Sequence, residues 1–307
     1  MNKIKIGIIT NGNYVDKYTY DLIKWLKKNN KNFYFKHFIS IPVERKKVKV
    51  IKVPKKILFR LIIFFENLIL KTKKKHADHL YKYNIKNIIE KEIKIRLIEK
   101  DKFNKKDLYY VKNKKFDILI RCCGNILTKD FLKISKHGII SFHHGDYKKY
   151  RGSPAGFWEV FNKEKKTGFM LQKINRDLDF GNIILEGFVQ TKSFFLFNQA
   201  ELYKKSNFYL KKILFDFSER KKFFFIKKGK KGRIYETPKI YNQIKYIFQT
   251  TMVLTKKLLL DNNNFKLAFF NENKINSPFI IKNDLNKFLA DPFLIKHKNE
   301  TYCLQKN

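Results

Sequence analysis

Residues 116–143 read FDILIRCCGNILTKDFLKISKHGIISFH. Two nearly continuous apolar runs, at 116–123 and 138–143, predict strands that are buried on both faces. Between them, Thr128 is placed to cap a short helix that ends near Ser135. Two buried strands joined by a helix are typical of a parallel sheet, so this stretch predicts an α/β fold.

The same alternation of strand and helix patterns continues on both sides of this stretch. It predicts strands at 3–10, 32–40, 167–174 and 182–189, and helices at 16–28 and 198–217. We therefore expect an open, mostly parallel sheet flanked by helices, with a helical and irregular C-terminal extension. The expected domains are an α/β domain at 1–217, a helical linker region at 218–280 and a β tail at 281–307.

The chain of 307 residues is strongly basic. It carries 68 Lys and Arg against 27 Asp and Glu, a formal charge of +41. Such a charge favours binding to nucleic acid or to an anionic membrane surface. The lysines are also spread along the whole chain, as expected of a composition inflated by A/T-rich codons, so solvated helix faces account for them equally well.

Several classes of protein are excluded by simple features. Three cysteines, two of them adjacent, do not suit a disulfide framework, and no metal-ligand spacing occurs. The N-terminus begins with a strand pattern and not a signal peptide, so we expect a cytoplasmic protein. The most apolar segment, 57–70, is too short and too charged to span a bilayer. It predicts a packing helix, with a basic helix in weak association with a membrane surface as the alternative.

Glycine marks the expected functional centre. Eight of the 12 glycines fall within 64 residues, at positions 124, 138, 145, 152, 156, 168, 181 and 187. Ligands of open α/β sheets bind beyond the carboxyl ends of strands, where His143 and the loop after it are placed. Gly181 is expected at a left-handed turn position. The turn at 11–13 lacks the spacing of a dinucleotide fingerprint or a phosphate loop.

Residues 137–158, HGIISFHHGDYKKYRGSPAGFW, resemble the signature of the folate-dependent formyltransferase family. This family includes methionyl-tRNA, glycinamide ribonucleotide and amino-sugar formyltransferases. The resemblance covers roughly residues 1–215 and implies a Rossmann-like fold. Its pattern is Asn-x-His, Arg-Gly, an aromatic residue, Thr-Gly and Asp-x-Gly, and the matching positions are Ser141 to His143, Arg151-Gly152, Trp158, Thr167-Gly168 and Asp179 to Gly181.

The resemblance implies transfer of a formyl group from 10-formyltetrahydrofolate to a primary amine, without a metal. It assigns catalysis to His143 and Asp179, with Ser141 assisting. The implied cofactor-binding residues are Cys123, Gly124, Asn125, Ile126, Gly145 and Asp146, and the implied substrate-binding residues are His144, Arg151 and Gly152. The chemistry suits these side chains, because the reaction needs a proton acceptor for the amine and a donor for the developing oxyanion.

The sequence departs from the family pattern at two places. Ser141 stands where the family has Asn, and residues 145–148 replace the Ser-Leu-Leu-Pro loop of the tRNA enzymes. The expected acceptor is a small-molecule amine on an amino sugar or nucleotide-sugar. Transfer to an aminoacyl-tRNA, which the charge favours, and a degenerate homologue that binds a ligand without turnover both stay open.

The C-terminal tail carries a second resemblance. Residues 289–295, LADPFLI, resemble the first blade of five-bladed glycosidase-type propellers. So short a match gives Asp291 no catalytic role. It predicts the truncated start of a further, carbohydrate-related domain, and it favours an amino sugar over tRNA as acceptor.

Overall fold

The computed structural model describes residues 3–42, 53–72, 78–89, 91–99, 102–177, 179–260, 267–271, 274–281, 290–297 and 300–306. Within these residues, seven strands form the main sheet. They are β1 (Ile4–Thr10), β3 (Phe33–Ser40), β5 (Lys91–Lys94), β8 (Ile118–Cys122), β9 (Ile139–His143), β11 (Lys166–Lys173) and β12 (Asn182–Gln190). Their order across the sheet is β12-β11-β9-β8-β1-β3-β5.

The sheet is mostly parallel. Strands β9, β8, β1, β3 and β5 pair in parallel, whereas β11 runs antiparallel to both β9 and β12. The carboxyl ends of the parallel strands therefore meet at one edge, where Thr10, Cys122 and His143 end their strands. The expected α/β fold is confirmed.

Helices cover both faces of the sheet. The described helices are α1 (Lys17–Lys28), α2 (Val53–Lys71), α3 (Lys105–Asn113), α4 (Phe157–Phe161), α5 (Phe195–Arg220) and α6 (Ile240–Leu260), and α1, α3 and α5 pack on the sheet. Ile8 and Ile120 pack on one face in the same cluster as Leu22 of α1 and Leu214 of α5. Their chain neighbours point to the opposite face, because side chains alternate along a strand. That face forms a second core with α3.

Glu66 of α2 connects this helix to the start of α5 and to α6. Its carboxylate accepts hydrogen bonds from the backbone amides of Phe195 and Leu196, at 3.3 and 2.7 Å, and from the Tyr246 hydroxyl. These amides open α5, where backbone donors have no partner within the helix. The buried side of α2 thus caps the longest helix described, and it packs through Phe59 and Ile62 in a third core.

Short elements complete the described chain. The remaining strands are β2 (Tyr14–Asp16), β4 (Lys82–Asn84), β6 (Leu97–Glu99), β7 (Lys102–Phe103), β10 (Tyr150–Gly152), β13 (Arg233–Tyr235), β14 (Leu267–Asn271), β15 (Lys274–Ile281), β16 (Ala290–His297) and β17 (Glu300–Lys306). Only one short 3-10 turn, Phe131–Lys133, stands where Thr128 was expected to cap a helix. The chain between the two buried strands otherwise runs as irregular turns.

The chain divides into compact units at 1–247 and 248–307. Each pairs its own strands, and the second contains the hairpins β14–β15 and β16–β17. The domain limits drawn from the sequence at 217 and 280 stay predictions. Within the expected helical linker the structure places β13, which pairs with β10 of the first unit.

Candidate active site

His143 ends strand β9 and is held by its own loop. The ring is buried, and its Nε2 lies 2.9 Å from the backbone oxygen of Tyr150. A carbonyl oxygen only accepts hydrogen bonds, so Nε2 carries a proton and donates. The other ring nitrogen, Nδ1, is therefore the one available to gain or lose a proton.

Asp179 lies beside that nitrogen. Its Oδ2 is 3.7 Å from Nδ1 of His143, an ion-pair distance when the imidazole is protonated. The same oxygen accepts a hydrogen bond of 3.2 Å from the backbone amide of Gly152. The structure thus brings together two side chains that lie far apart in the sequence, and it orients the carboxylate through the loop after His143.

The backbone conformation around Asp179 differs from expectation. Gly181 was expected in the left-handed region, but the positive φ, 50°, belongs to Asp179. Aspartate tolerates this region better than most residues. Gly181 is required for another reason: a Cβ there would overlap the backbone oxygen of Lys173. Its amide donates a hydrogen bond of 2.5 Å to Gln172 Oε1.

Ser141 is paired with Arg121, a residue that the sequence pattern did not single out. The two stand in register on β9 and β8, and Arg121 Nη1 lies 3.4 Å from Ser141 Oγ. Arg121 Nε and Nη2 donate to the backbone oxygen of Asn125, at 3.1 and 2.8 Å. A fixed guanidinium therefore stands beside the serine that replaces the asparagine of the family pattern. An arginine near the end of an apolar strand was the available signal.

The turn at 123–126 is fixed by Asn11. Asn11 Oδ1 accepts from the amide of Gly124 at 2.7 Å, and its Nδ2 donates to Asn125 Oδ1 at 2.5 Å. Ile126 is exposed beside them, and burial raises the pKa of the Cys123 thiol. The cofactor-binding role that the resemblance implies for this turn stays a prediction.

A cavity of about 270 Å³ opens at the carboxyl ends of β1, β8 and β9. Four expected site residues line it: Cys123, Gly124, Ser141 and His144. Polar groups that the sequence pattern did not single out line it too, namely Asn11, Tyr14, Asp16, Tyr18, Lys82 and Arg121. The cavity carries both signs of charge and is large enough for part of a small polar ligand.

His144 is held on the helix side of the cavity. Its Nε2 lies 2.9 Å from Ser206 Oγ, and its ring packs against Phe142 and Tyr203. Burial lowers the pKa of His144 to about 3, with a smaller contribution from His143 and His79. The side chain is therefore neutral at physiological pH and can offer a ligand no charge.

The loop after His143 is fixed by internal contacts. Gly145 is closely packed, because a Cβ there would approach the Tyr150 oxygen to 2.8 Å. Asp146 Oδ1 accepts from the amide of Lys148 at 3.0 Å. Arg151 is buried and donates to the backbone oxygen of Gly232 at 3.3 Å. These contacts of Gly145, Asp146 and Arg151 lie within the protein, and their binding roles stay predictions.

A segment beyond the expected α/β domain lies against this loop. The amides of Gly229 and Gly232 donate to the hydroxyl and backbone oxygens of Tyr147, both at 2.9 Å, and β13 pairs with β10. Gly152 has a φ of 92°, and a Cβ there would overlap the Tyr235 oxygen. Because Gly152 also orients Asp179, residues 229–235 help to build the site.

Glu159 is a further carboxylate next to the site that the sequence did not reveal. It is 1% exposed, and its Oε1 accepts from the amide of Asp146 at 3.2 Å. Burial raises the pKa of Glu159 to about 7. It lies in the middle of an apolar aromatic helix, FWEVF, where its charge is only partly compensated.

Known proteins resemble this chain over the region that holds the site. Residues 66–193 match the model of the formyl transferase family. The matched region contains β8, β9, β11, the Arg121–Ser141 pair and the His143–Asp179 pair. Among the residues that the structure describes, no group of three His, Cys, Asp or Glu side chains is placed to hold a metal ion.

Sequence relatives match the chain locally. Methionyl-tRNA formyltransferase of Thermodesulfovibrio yellowstonii is 40% identical over 74 residues, which is 24% of this chain and 24% of that protein. Methionyl-tRNA formyltransferase of Thermotoga neapolitana is 31% identical over 116 residues, 37% of each chain. The matches thus span about a quarter to a third of these relatives' length.

Solved structures match the fold over a longer range. A sugar N-formyltransferase from a Shewanella species aligns with a TM-score of 0.50 at 12% identity, over 91% of this chain and 96% of that chain. Glycinamide ribonucleotide transformylase 1 of Symbiobacterium toebii aligns with a TM-score of 0.50 at 12% identity, over 76% of this chain and 95% of its own. At such identity the likeness establishes the fold.

Proposed function

We propose that this protein is a formyltransferase that moves a formyl group from 10-formyltetrahydrofolate to a primary amine of an amino sugar or nucleotide-sugar. The observation that carries the proposal is the His143–Asp179 pair, with Nδ1 and Oδ2 3.7 Å apart at a strand end inside the region that matches the family. The sugar class is supported by the alignment with the Shewanella enzyme over most of both chains, and by the resemblance of the tail.

The proton of the acceptor amine has a defined route. As the amine nitrogen bonds to the formyl carbon it becomes cationic and must lose a proton. Nε2 of His143 is committed to the Tyr150 oxygen, so Nδ1 takes that proton. Asp179, held by the Gly152 amide, stabilises the resulting imidazolium across the short gap. The donor, when bound, would supply the formyl carbon and the leaving nitrogen. As the bond between these two atoms breaks, His143 would return its proton to the leaving nitrogen, so that the imidazole is neutral again.

The oxygen of the reacting carbonyl needs hydrogen-bond donors as it gains charge. The asparagine of the family pattern is replaced by Ser141, whose hydroxyl donates to the backbone oxygen of Phe142 at 3.2 Å and would have to turn from it, and by the charged guanidinium of Arg121 3.4 Å away. In the proposed reaction the two together serve as the oxyanion donors. A cationic donor is the stronger partner for an oxyanion, which offsets the shorter side chain of serine.

The donor pair has its own test. Arg121→Gln removes the charge and is expected to lower kcat about 10²-fold while KM for the amine changes little. Arg96→Gln is the matched control, because Arg96 pairs with Asp107 at the surface at 2.9 Å. An unchanged kcat in Arg121→Gln would remove Arg121 from the proposed chemistry.

The function itself is tested with the donor and a panel of nucleotide-linked amino sugars. Mass spectrometry is expected to find a formylated sugar product, and His143→Gln should abolish it. Folate bound without any product over hours would support the alternative of a non-catalytic homologue. The assignment fails if no panel member is formylated and folate does not bind.

Transfer to an aminoacyl-tRNA is the second candidate. The matched relatives are named methionyl-tRNA formyltransferases, and the charge of +41 suits phosphate contacts. Formylated methionyl-tRNA, produced faster than any formylated sugar, would establish it.

The cytoplasmic location and the propeller-like nature of the tail stay predictions. Side chains of the tail lie outside the described residues.

A further inference from the structure

Helix α2 leaves an apolar stripe uncovered. Its members are 46% to 60% exposed, and they are Ile57, Leu61, Phe64, Phe65 and Leu68. Their spacing of three and four residues places them on one face of the helix. Phe59, Ile62, Glu66 and Leu70 face the opposite way and are buried. Helix α2 is therefore apolar on both sides, and only one side packs within the first compact unit.

The stripe is larger than a solvated helix face requires. Single exposed apolar residues are common, but contiguous patches approaching several hundred Å² mark surfaces that bind a partner. Five large apolar side chains on one face approach that size, and the rings of Phe64 and Phe65 touch, with centroids 5.7 Å apart. None of the five belongs to a buried core cluster of the described residues, so internal packing does not explain them.

Positive charge flanks the stripe in the sequence at both ends of the helix. Residues 45–56 contain seven Lys and Arg and no acidic residue, and residues 71–75 contain four Lys. Lys56, Arg60 and Lys71 are exposed on the helix itself. Basic residues next to an apolar helix face attract the anionic headgroups of a lipid surface.

We propose that the stripe of α2 binds an anionic lipid bilayer, with the helix lying in the plane of the surface. Aromatic and aliphatic side chains would enter the acyl boundary while Lys56, Arg60 and Lys71 contact the headgroups. None of the described helices has the length and hydropathy of a membrane-spanning segment. A symmetric contact with a second copy would juxtapose two sets of these cations, so charge favours the lipid.

Vesicle sedimentation at two salt concentrations tests the proposal. A chain of charge +41 will bind any anionic vesicle at low salt, so the decisive measurement is made at about 0.5 M NaCl, where screening acts over roughly 4 Å. Vesicles with about one third phosphatidylglycerol are expected to retain the wild type there. Phe64→Ser with Phe65→Ser should reduce the bound fraction at least tenfold. Phe208→Ser is the matched control, because Phe208 is 61% exposed on α5.

A tryptophan reporter distinguishes insertion from other outcomes. The fluorescence of Phe65→Trp is expected to shift to the blue and to be quenched by brominated lipid, whereas Phe208→Trp should do neither. The proposal is overturned if the Phe64/Phe65 double variant binds as the wild type does at high salt. It is overturned equally if the wild type forms dimers that this variant abolishes, or if the indole of Phe65→Trp is already shielded in buffer. Formyl transfer to a soluble amine should be unchanged in the double variant, so this result is independent of the proposed function.

Discussion

At the scale of single residues, the site depends on which neighbour holds each polar group. Tyr150 fixes the tautomer of His143, Gly152 orients Asp179, and Arg121 stands beside Ser141. These partners lie 7, 27 and 20 positions away along the chain. The His143 ring and the Asp179 carboxylate are therefore oriented by backbone groups.

Asp179→Asn should lower kcat/KM by about 10²- to 10⁴-fold, because the imidazolium of His143 would lose its counter-charge. The same assay on Asp177→Asn serves as control, since Asp177 lies on the same connection but is exposed, 3.9 Å from Lys231. Equal rates for the two variants would show that the 3.7 Å pair has no part in proton transfer.

Glu159 predicts a pH dependence of stability. Its pKa in the folded state is raised to about 7 from 4.5, so the folded chain binds this proton more tightly than the unfolded chain. The stabilisation from the neutral carboxyl is complete below pH 4.5 and is lost as the pH rises to 7.

Glu159→Gln is therefore expected to gain stability over the wild type as the pH rises. Between about pH 5 and pH 8 the difference in free energy of unfolding should grow by about 2 to 3 kcal/mol. Urea denaturation at several pH values measures it. If the free energy of unfolding changed with pH in the same way in both proteins, the raised pKa of Glu159 would be contradicted.

At the scale of elements, the loop after β9 and the segment 229–235 form one structure. Strand β10 pairs with β13, and Tyr147 accepts hydrogen bonds from two backbone amides of that segment. On the other side Tyr147 donates to Glu186 of β12 at 2.7 Å. The loop is thereby fixed between two elements.

Gly152→Ala is expected to cost about 2 to 4 kcal/mol of stability and most of the activity. It adds both the strain of a positive φ and an overlap with the Tyr235 oxygen, which would displace Asp179. Gly12→Ala separates the two effects, because Gly12 has a φ of 78° and nothing within 4 Å of the added atom. It should lose only about 1 kcal/mol by thermal denaturation. Equal losses of stability in the two variants would show that backbone strain, and not the overlap with the Tyr235 oxygen, destabilises Gly152→Ala.

At the scale of the whole molecule, the chain is a compact unit of 1–247 followed by a second of 248–307. Helix α6 begins inside the first unit, and Tyr246 is buried there against Glu66 and Phe157. The first part of α6 is thus a component of the α/β fold, although its sequence belongs to the expected linker.

A chain ending at residue 260 is expected to keep its thermal stability and the proposed formyl transfer. A chain ending at 239 should lose several kcal/mol, because removing Tyr246 opens a cavity beside the buried carboxyl of Glu66. Circular dichroism on both truncated proteins measures the difference. The prediction is wrong if the chain ending at 239 melts at the wild-type temperature.

Most strands of the sheet, their succession along the chain and the position of His143 at a strand end were predictable from local sequence patterns. Continuous apolar runs such as 118–122 and 139–143 have few alternatives to a strand buried on both faces. Strand β5 is the exception, because it lies in a stretch of mixed pattern, 78–112, that identifies no element. The successful predictions rest on local patterns, and each can be read from a dozen neighbouring residues.

The contacts between groups that are distant in the sequence became visible only in the folded chain. The Arg121–Ser141 pair follows from the register of two strands, and the contact of 229–235 with the loop crosses some 80 residues of chain. Burial of Glu159 and the left-handed turn at Asp179 likewise depend on packing against other elements. Local sequence patterns do not predict such contacts, because the energy of these contacts is gained only when the elements come together in space.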